Sequence, residues 1–202
     1  MKIWETIKLG LVLSAYAAAA CVGLAFVYAK TKADIDIQEK ANLEAGIMEL
    51  FPGADSFSDI QGTILSPDPG VSFENQYSVI RNGKLAGVAI QASGGSYSGP
   101  IKVLVGVNTD GTISRIKIME NIDTPGLGSN AGSDRYFVNK SAGITFYGQF
   151  AGKKVSDAFQ PKNDITAITA ATITSQAVSG LVRTAGQAAY QWLLAEGAGD
   201  ER

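Results

Sequence analysis

The chain has 202 residues, a formal net charge of -2, no histidine and a single cysteine, Cys21. The missing histidines exclude His-based triads, Cys–His dyads and Cys/His zinc sites, and leave the soluble part without haem or iron–sulfur ligands, so redox chemistry would need an organic cofactor. The slightly acidic charge, with no run of Lys and Arg, argues against nucleic-acid binding, and the length suits one ordinary domain plus an anchor.

Residues Leu9 to Ala29 carry no charge. At helical rise such a segment spans roughly the 30 Å hydrocarbon core, which predicts one transmembrane helix. Lys2 and Lys8 precede it, with Glu5 between, and Lys30 and Lys32 follow, so lysine asymmetry orients it only weakly. Two other readings stay open for this segment: a cleaved signal peptide ending near the AYAAAAC run, and a lipoprotein with Cys21 as the lipidated residue. The apolar run continues through VGLAFVY beyond Cys21, which favours a retained helix.

From Thr31 to Phe51, Ile35, Ala41, Leu43, Ile47, Met48 and Leu50 form a rough helical stripe, ended by Pro52-Gly53. Asp55 to Phe73 is polar and reads as loop. Gln76 to Arg81, turn Asn82-Gly83, and Lys84 to Ala92 read as a hairpin, because Asn-Gly between alternating runs is a strong hairpin signal. Ile101 to Val107, turn Asp110-Gly111, and Thr112 to Met119 read as a second. Gly-rich loops follow each hairpin, at Ser93–Pro100 and Asn121–Ser133. Tyr136 to Phe150 is expected to hold a short helix. Ser175 to Glu196 is the best helix of the soluble part, with Ala177, Val178, Leu181, Val182, Ala185, Ala188, Ala189, Trp192 and Leu193 on one stripe. The order predicts an α+β fold: a transmembrane helix, then one domain of antiparallel strands packed with helices.

Chemistry is concentrated in Ile165 to Ala177, where Thr166, Thr169, Thr172, Thr174 and Ser175 gather hydroxyls ahead of the last helix. One reading is structural: a β-branched strand runs into a helix capped by Ser175 or Thr174. The other uses position. A helix N-terminus offers free N–H groups and a positive dipole end, a seat for a phosphate, and a threonine hydroxyl there is placed to hold one as a diester. Small Ala170 and Ala171 let a bulky ligand approach.

The run TAITAATITS resembles the flavinylation motif of the FMN-binding domain family, Asp-x-x-(Ser/Thr)-Gly-Ala-Thr-x-Thr-Ser. That family includes the G subunit of the Rnf complex and the C subunit of the sodium-pumping NADH–quinone reductase. The resemblance implies that Thr172 carries covalent FMN, with Thr169 in the Ser/Thr place and Ala171 in the Ala place. Ala170 replaces the family glycine, and Thr166 falls where the aspartate would be, with Asp164 two residues early.

Asp123 to Gly128, DTPGLG, reads by itself as a turn. It resembles the family's Glu-Thr-Pro-Gly-Leu-Gly loop, which borders the flavin. This implies that Asp123, Thr124, Pro125, Gly126, Leu127 and Gly128 belong to the cofactor site, with Leu127 packing on the ring. GSYSGPI resembles a third family segment and implies a flavin contact by Tyr97. Gln149 to Lys153, QFAGK, resembles a fourth, expected to be structural, with Lys153 read either as a solvated surface lysine or as a flavin or phosphate contact.

The resemblance implies residues 1–30 as anchor, 31–54 as linking helix and 55–202 as FMN-binding domain. It implies a membrane-anchored electron carrier, one subunit of an ion-pumping ferredoxin–NAD oxidoreductase and not a stand-alone enzyme, with the other Rnf-type subunits and a maturing flavin transferase as partners. It places the protein in the cytoplasmic membrane with its soluble domain on the outer face. An assembly or binding module without a cofactor is the alternative reading. No GxGxxG nicotinamide fingerprint supports a reductase acting alone.

Overall fold

A computed structural model describes residues 3–60 and 62–197. Residues 1–2 of the expected anchor, and residues 61 and 198–202 of the expected domain, lie outside the described residues. The first helix, α1, runs without a break over Ile3–Leu50. By compactness the chain divides after Glu44 into two units.

In the first unit α1 is long and apolar enough to cross a membrane. Its large apolar side chains from Ile3 to Tyr28, including Leu11, Leu13, Leu24 and Phe26, are exposed. A helix that is apolar all round needs an apolar surrounding, which fits a membrane span.

The second unit is built on a five-stranded antiparallel meander, β1 (Ser56–Asp59), β2 (Val71–Arg81), β3 (Lys84–Gly95), β4 (Pro100–Asn108) and β5 (Ile113–Asn121), in sequential order. The β2–β3 turn has positive φ at both Asn82 (53°) and Gly83 (71°), a geometry whose twist matches the flanking strands. A long helix, α2 (Thr172–Gly197), packs on β3 and β4. Val178, Leu181, Val182, Ala185, Ala189 and Leu193 meet Val88, Ile90, Val103 and Val105 in the main core.

The other face of the sheet is covered by the last turn of α1. Ile47, Leu50 and Phe51 are buried there. Gly87 and Gly106 make room, since a Cβ on either would stand within 3.0 Å of the Phe51 ring. The fold is therefore α+β, as expected.

Three local expectations are corrected. Asp55–Phe73 is not all loop: β1 pairs with β2 from Ser56–Ile80 to Asp59–Tyr77. Being short and polar, β1 lacks the alternation that marks a strand, and Phe57 meets Tyr77 edge-on. The segment Tyr136–Phe150 holds its short helix only at the end, as a 3-10 helix at Tyr147–Phe150, and the rest forms a small ribbon, β6 (Phe137–Asn139) with β7 (Ile144–Thr145). Gly143, at φ 64°, turns the chain between the two strands. Finally, α2 begins at Thr172, so neither Thr174 nor Ser175 caps it.

Candidate functional site

The segment before α2 has a three-residue rhythm. Ile165, Ile168 and Ala171 are buried, while Thr166, Thr169 and Thr172 are exposed. The first intrahelical bond runs from Ser175 N–H to Ala171 C=O at 3.1 Å, so Ala171 holds the cap position and Thr172 is the first helical residue. Alanine has no oxygen with which to cap. Among the described residues no acceptor takes the N–H groups of Thr172, Ile173 or Thr174. The helix thus presents three free donors and the positive end of its dipole beside the Thr172 hydroxyl.

The Ser175 hydroxyl works inward. It donates to Ala171 C=O at 2.9 Å and accepts from Ile168 N–H at 2.9 Å, fixing the entry to the helix. Thr174 is also committed, as described below. Toward a ligand, these two residues offer backbone rather than hydroxyl. Ala170, in the place of the family glycine, has φ 59°, the left-handed region that favours glycine.

The same segment lines an open cleft of about 500 Å³, bordered by Lys162, Asp164, Thr166, Thr169, Ala170 and Thr172. That is the size of an ordinary small-molecule site. Among the described residues that line it, Lys162 is the only cation. The backbone leading into the cleft is strained, with Lys162 in its wall at φ 74° and the buried Phe159 ahead of it at φ 48°. Asp164 holds it in place, accepting from Phe159 N–H at 2.9 Å and Gln160 N–H at 2.6 Å, with Lys153 Nζ 3.9 Å away. Burial opposes the Asp164 charge, but these bonds and Lys153 outweigh it and hold the carboxyl below its ordinary range.

The DTPGLG loop is a tight turn, with Leu127 N–H donating to Thr124 C=O at 3.1 Å and Gly126 at φ 77°. Pro125 and Gly126 occupy the positions that favour Pro and a positive φ. Asp123 is only 4% exposed. Its carboxylate accepts from Ser96 Oγ at 2.5 Å, Ser98 N–H at 2.7 Å and Thr174 Oγ1 at 2.6 Å. Three segments distant in sequence meet there: the Gly/Ser-rich loop, the DTPGLG loop and the first turn of α2. Burial raises the cost of the charge, yet the hydroxyls of Ser96 and Thr174 and the Ser98 amide prevail and hold the carboxyl below its usual value.

Gly128 explains how the junction closes. A Cβ there would stand 2.5 Å from Thr174 Oγ1 and 2.6 Å from Asp123 Cβ. Around the junction, apolar side chains stay exposed: Tyr97 at 70%, Ile122 at 56%, Leu127 at 40% and Ile173 at 52%. Tyr97 and Leu127 were expected near a ligand. Ile122 and Ile173 carry no motif signal and emerge only from the fold, as do Ser96, Ser98 and Lys162.

The QFAGK segment serves the same site from behind. Gln149 Oε1 accepts from Thr166 N–H at 2.8 Å and its Nε2 donates to Thr166 C=O at 3.1 Å. Tyr136 Oη accepts from Thr169 N–H at 3.1 Å. Lys153 is turned to Asp164. Among the described residues no cluster of three or more His, Cys, Asp or Glu is arranged to hold a metal.

Residues 96–187 match the sequence profile of the FMN-binding domain. The chain is 32% identical over 195 residues to the G subunit of the ion-translocating oxidoreductase complex of Vibrio atlanticus, covering 89% of this chain and 88% of that protein. A protein of the same name from Methanosarcina acetivorans is 28% identical over 187 residues, covering 91% and 93%. The G subunit of the Na(+)-translocating ferredoxin:NAD(+) oxidoreductase complex of Acetobacterium woodii is 28% identical over 193 residues, covering 87% and 88%. Among solved structures, Shewanella oneidensis NqrC aligns with 64% of this chain and 72% of its own at 19% identity and a TM-score of 0.45.

Proposed function

The chain belongs to the family of G subunits of ion-translocating oxidoreductase complexes, and we propose that it carries its flavin, FMN, on Thr172 through a phosphoester bond. In this reading it is a membrane-associated electron carrier of an ion-translocating ferredoxin:NAD oxidoreductase. The observation that carries the assignment is the exposed Thr172 at the first position of α2, with the free N–H groups of Thr172, Ile173 and Thr174 beside it.

The residues present fit such a group. A phosphate on Thr172 would lie at the helix N-terminus, where free amides and the dipole favour an anion. Thr169 and Ala170 line the approach, buried Ala171 adds no bulk behind them, and Lys162 supplies a cation from the cleft wall. Thr124, Pro125, Gly126, Leu127 and Tyr97 would hold the ring, with Gly128 letting their loop close on α2 and Asp123 fixing both loops. Flavin takes one or two electrons, which lets it link partners of different stoichiometry. Attachment through phosphate leaves the ring edge free for a redox partner.

Attachment consumes FAD. The Thr172 O–H bond breaks and an O–P bond forms to the FMN phosphate as the bond to AMP breaks; AMP and a proton leave. A flavin transferase is the partner for that step. We place the soluble domain on the outer face of the cytoplasmic membrane, with α1 as its anchor among the other subunits.

The test is the intact mass of the protein from its native host, with peptide mapping of residues 166–183. One added FMN on Thr172, lost in Thr172→Val, supports the reading. An unmodified chain from a host that has the transferase would overturn covalent attachment and leave a binding module.

A further inference from the structure

A buried carboxylate normally meets a cation or changes protonation state. Asp123 does neither. It is 4% exposed, and none of the ion pairs among the described residues includes it. Its partners are the hydroxyls of Ser96 and Thr174 and the Ser98 amide, with the Tyr97 amide also favouring the charge, all donors and all suited to the ionised form.

Its position is as unusual as its isolation. The first turn of α2 contains no acidic residue of its own. The Asp123 carboxylate is brought to that turn from the loop and lies 2.6 Å from Thr174 Oγ1, two residues beyond Thr172. The exposed collar of Tyr97, Ile122, Leu127 and Ile173 is made of the immediate neighbours of Asp123 and of the residues that touch it: Ser96, Ser98, Gly128 and Thr174. A flavin bound among those side chains would have the Asp123 charge close by, since each of them adjoins Asp123 or a residue that touches it.

We propose that Asp123 is a positioning and tuning residue: it joins the two loops to the attachment turn, and its fixed charge holds the potential of the bound flavin down. The inference rests on the flavin being carried at Thr172. Its physics is simple. Reduction adds electrons to the ring, and a buried negative charge that no cation compensates opposes this, the more so where water is excluded. A tie without an electrical role would be met equally well by a neutral amide.

Asp123→Asn separates the two roles. Its Oδ1 accepts the Ser98 N–H, and its Nδ2 donates to the Ser96 and Thr174 hydroxyls, which rotate to accept. The tie survives and the charge does not. The measurement is a potentiometric titration of the flavinylated full-length chain in detergent, followed by flavin absorbance, with loading verified by mass. The expected result is an upward shift of about 30 mV or more in midpoint potential, one tenfold step for a two-electron couple. Asp123→Glu, which keeps the charge, should stay near the parent value. A loaded Asp123→Asn protein whose potential is unmoved overturns the tuning role.

If the Asn variant does not load, Asp123→Gln against Asp123→Glu repeats the comparison with one more methylene. If neither amide loads while Glu does, the charge is a requirement of assembly and the tuning proposal falls. An unmodified parent chain is a different failure: it sinks the attachment at Thr172 itself.

Discussion

Gln149 embraces the backbone of Thr166, accepting its N–H at 2.8 Å and donating to its C=O at 3.1 Å. One side chain thus pairs with a peptide as a neighbouring strand would. It does so where the chain has left the sheet and must be held until α2 begins. Gln149 Nε2 also donates to Phe146 C=O at 3.0 Å, which ties the amide to its own turn. Gln149→Ala should destabilise the domain by about 2–3 kcal/mol, three hydrogen bonds at about 1 kcal/mol net each. Flavin loading should fall with it, because the Thr172 segment loosens. A melting temperature equal to that of the parent would show that the embrace contributes nothing.

Ala170 is the residue one would change to gain stability. Its φ of 59° costs an L-residue about 1–2 kcal/mol, and nothing but its place before Ala171 and Thr172 requires that conformation. Glycine relieves the strain and returns some of the gain as chain entropy. Ala170→Gly should therefore stabilise by about 1 kcal/mol, a rise of roughly 2–4 °C in melting temperature. Flavin occupancy should rise too, as the methyl no longer lines the cleft. A lower melting temperature would show that the Ala170 methyl makes contacts worth more than the strain.

How much of this was legible beforehand depends on the range of the interaction. The β2–β3 hairpin was readable because Asn82-Gly83 states its turn locally, and α2 because its stripe repeats every turn. The start of α2 was not. Side-chain capping was the available start signal, and the residue at the cap is Ala171, which has none. The hydroxyls of Thr174 and Ser175, read as caps or ligand contacts, turn inward to Asp123 and Ala171. The Asp123 junction joins residues 27 and 51 positions apart, and no local pattern encodes such a meeting. Motif resemblance pointed to the loops; only the fold shows that one carboxylate holds them.

The two motif glycines of the DTPGLG turn should fail differently when substituted. At Gly126 a Cβ meets nothing within 4 Å, so Gly126→Ala pays only for its φ of 77°, about 1–2 kcal/mol. At Gly128 the Cβ collides with Thr174 Oγ1 at 2.5 Å, and Gly128→Ala must push α2 from the loop, at about 1–3 kcal/mol. The two costs overlap in size, so a double-mutant cycle decides. Thr174→Ala removes one of the two colliding groups, Asp123 Cβ at 2.6 Å being the other, so its cost should be somewhat smaller in the Gly128→Ala background than in the parent. With Gly126→Ala the costs should add. Additivity at Gly128 would mean that the clash is relieved elsewhere.

Asp123 and Asp164 both titrate below the ordinary carboxyl value, and the sign of their effect on stability follows. A carboxyl with a depressed folded-state pKa stabilises the fold fully above its unfolded pKa, about 3.9 for aspartate. That stabilisation is lost as the pH falls through the lower, folded value. The melting temperature of the full-length chain in detergent should therefore be flat between pH 5 and 7, as far as these two groups decide it, and should drop below about pH 4. In Asp123→Asn the acid-side drop should be shallower, since the amide has no proton to take up. A parent protein that lost stability between pH 7 and 5 would contradict the depressed values. So would an Asn variant with an undiminished acid-side loss, because the charge at the α2 junction would then contribute nothing that protonation removes.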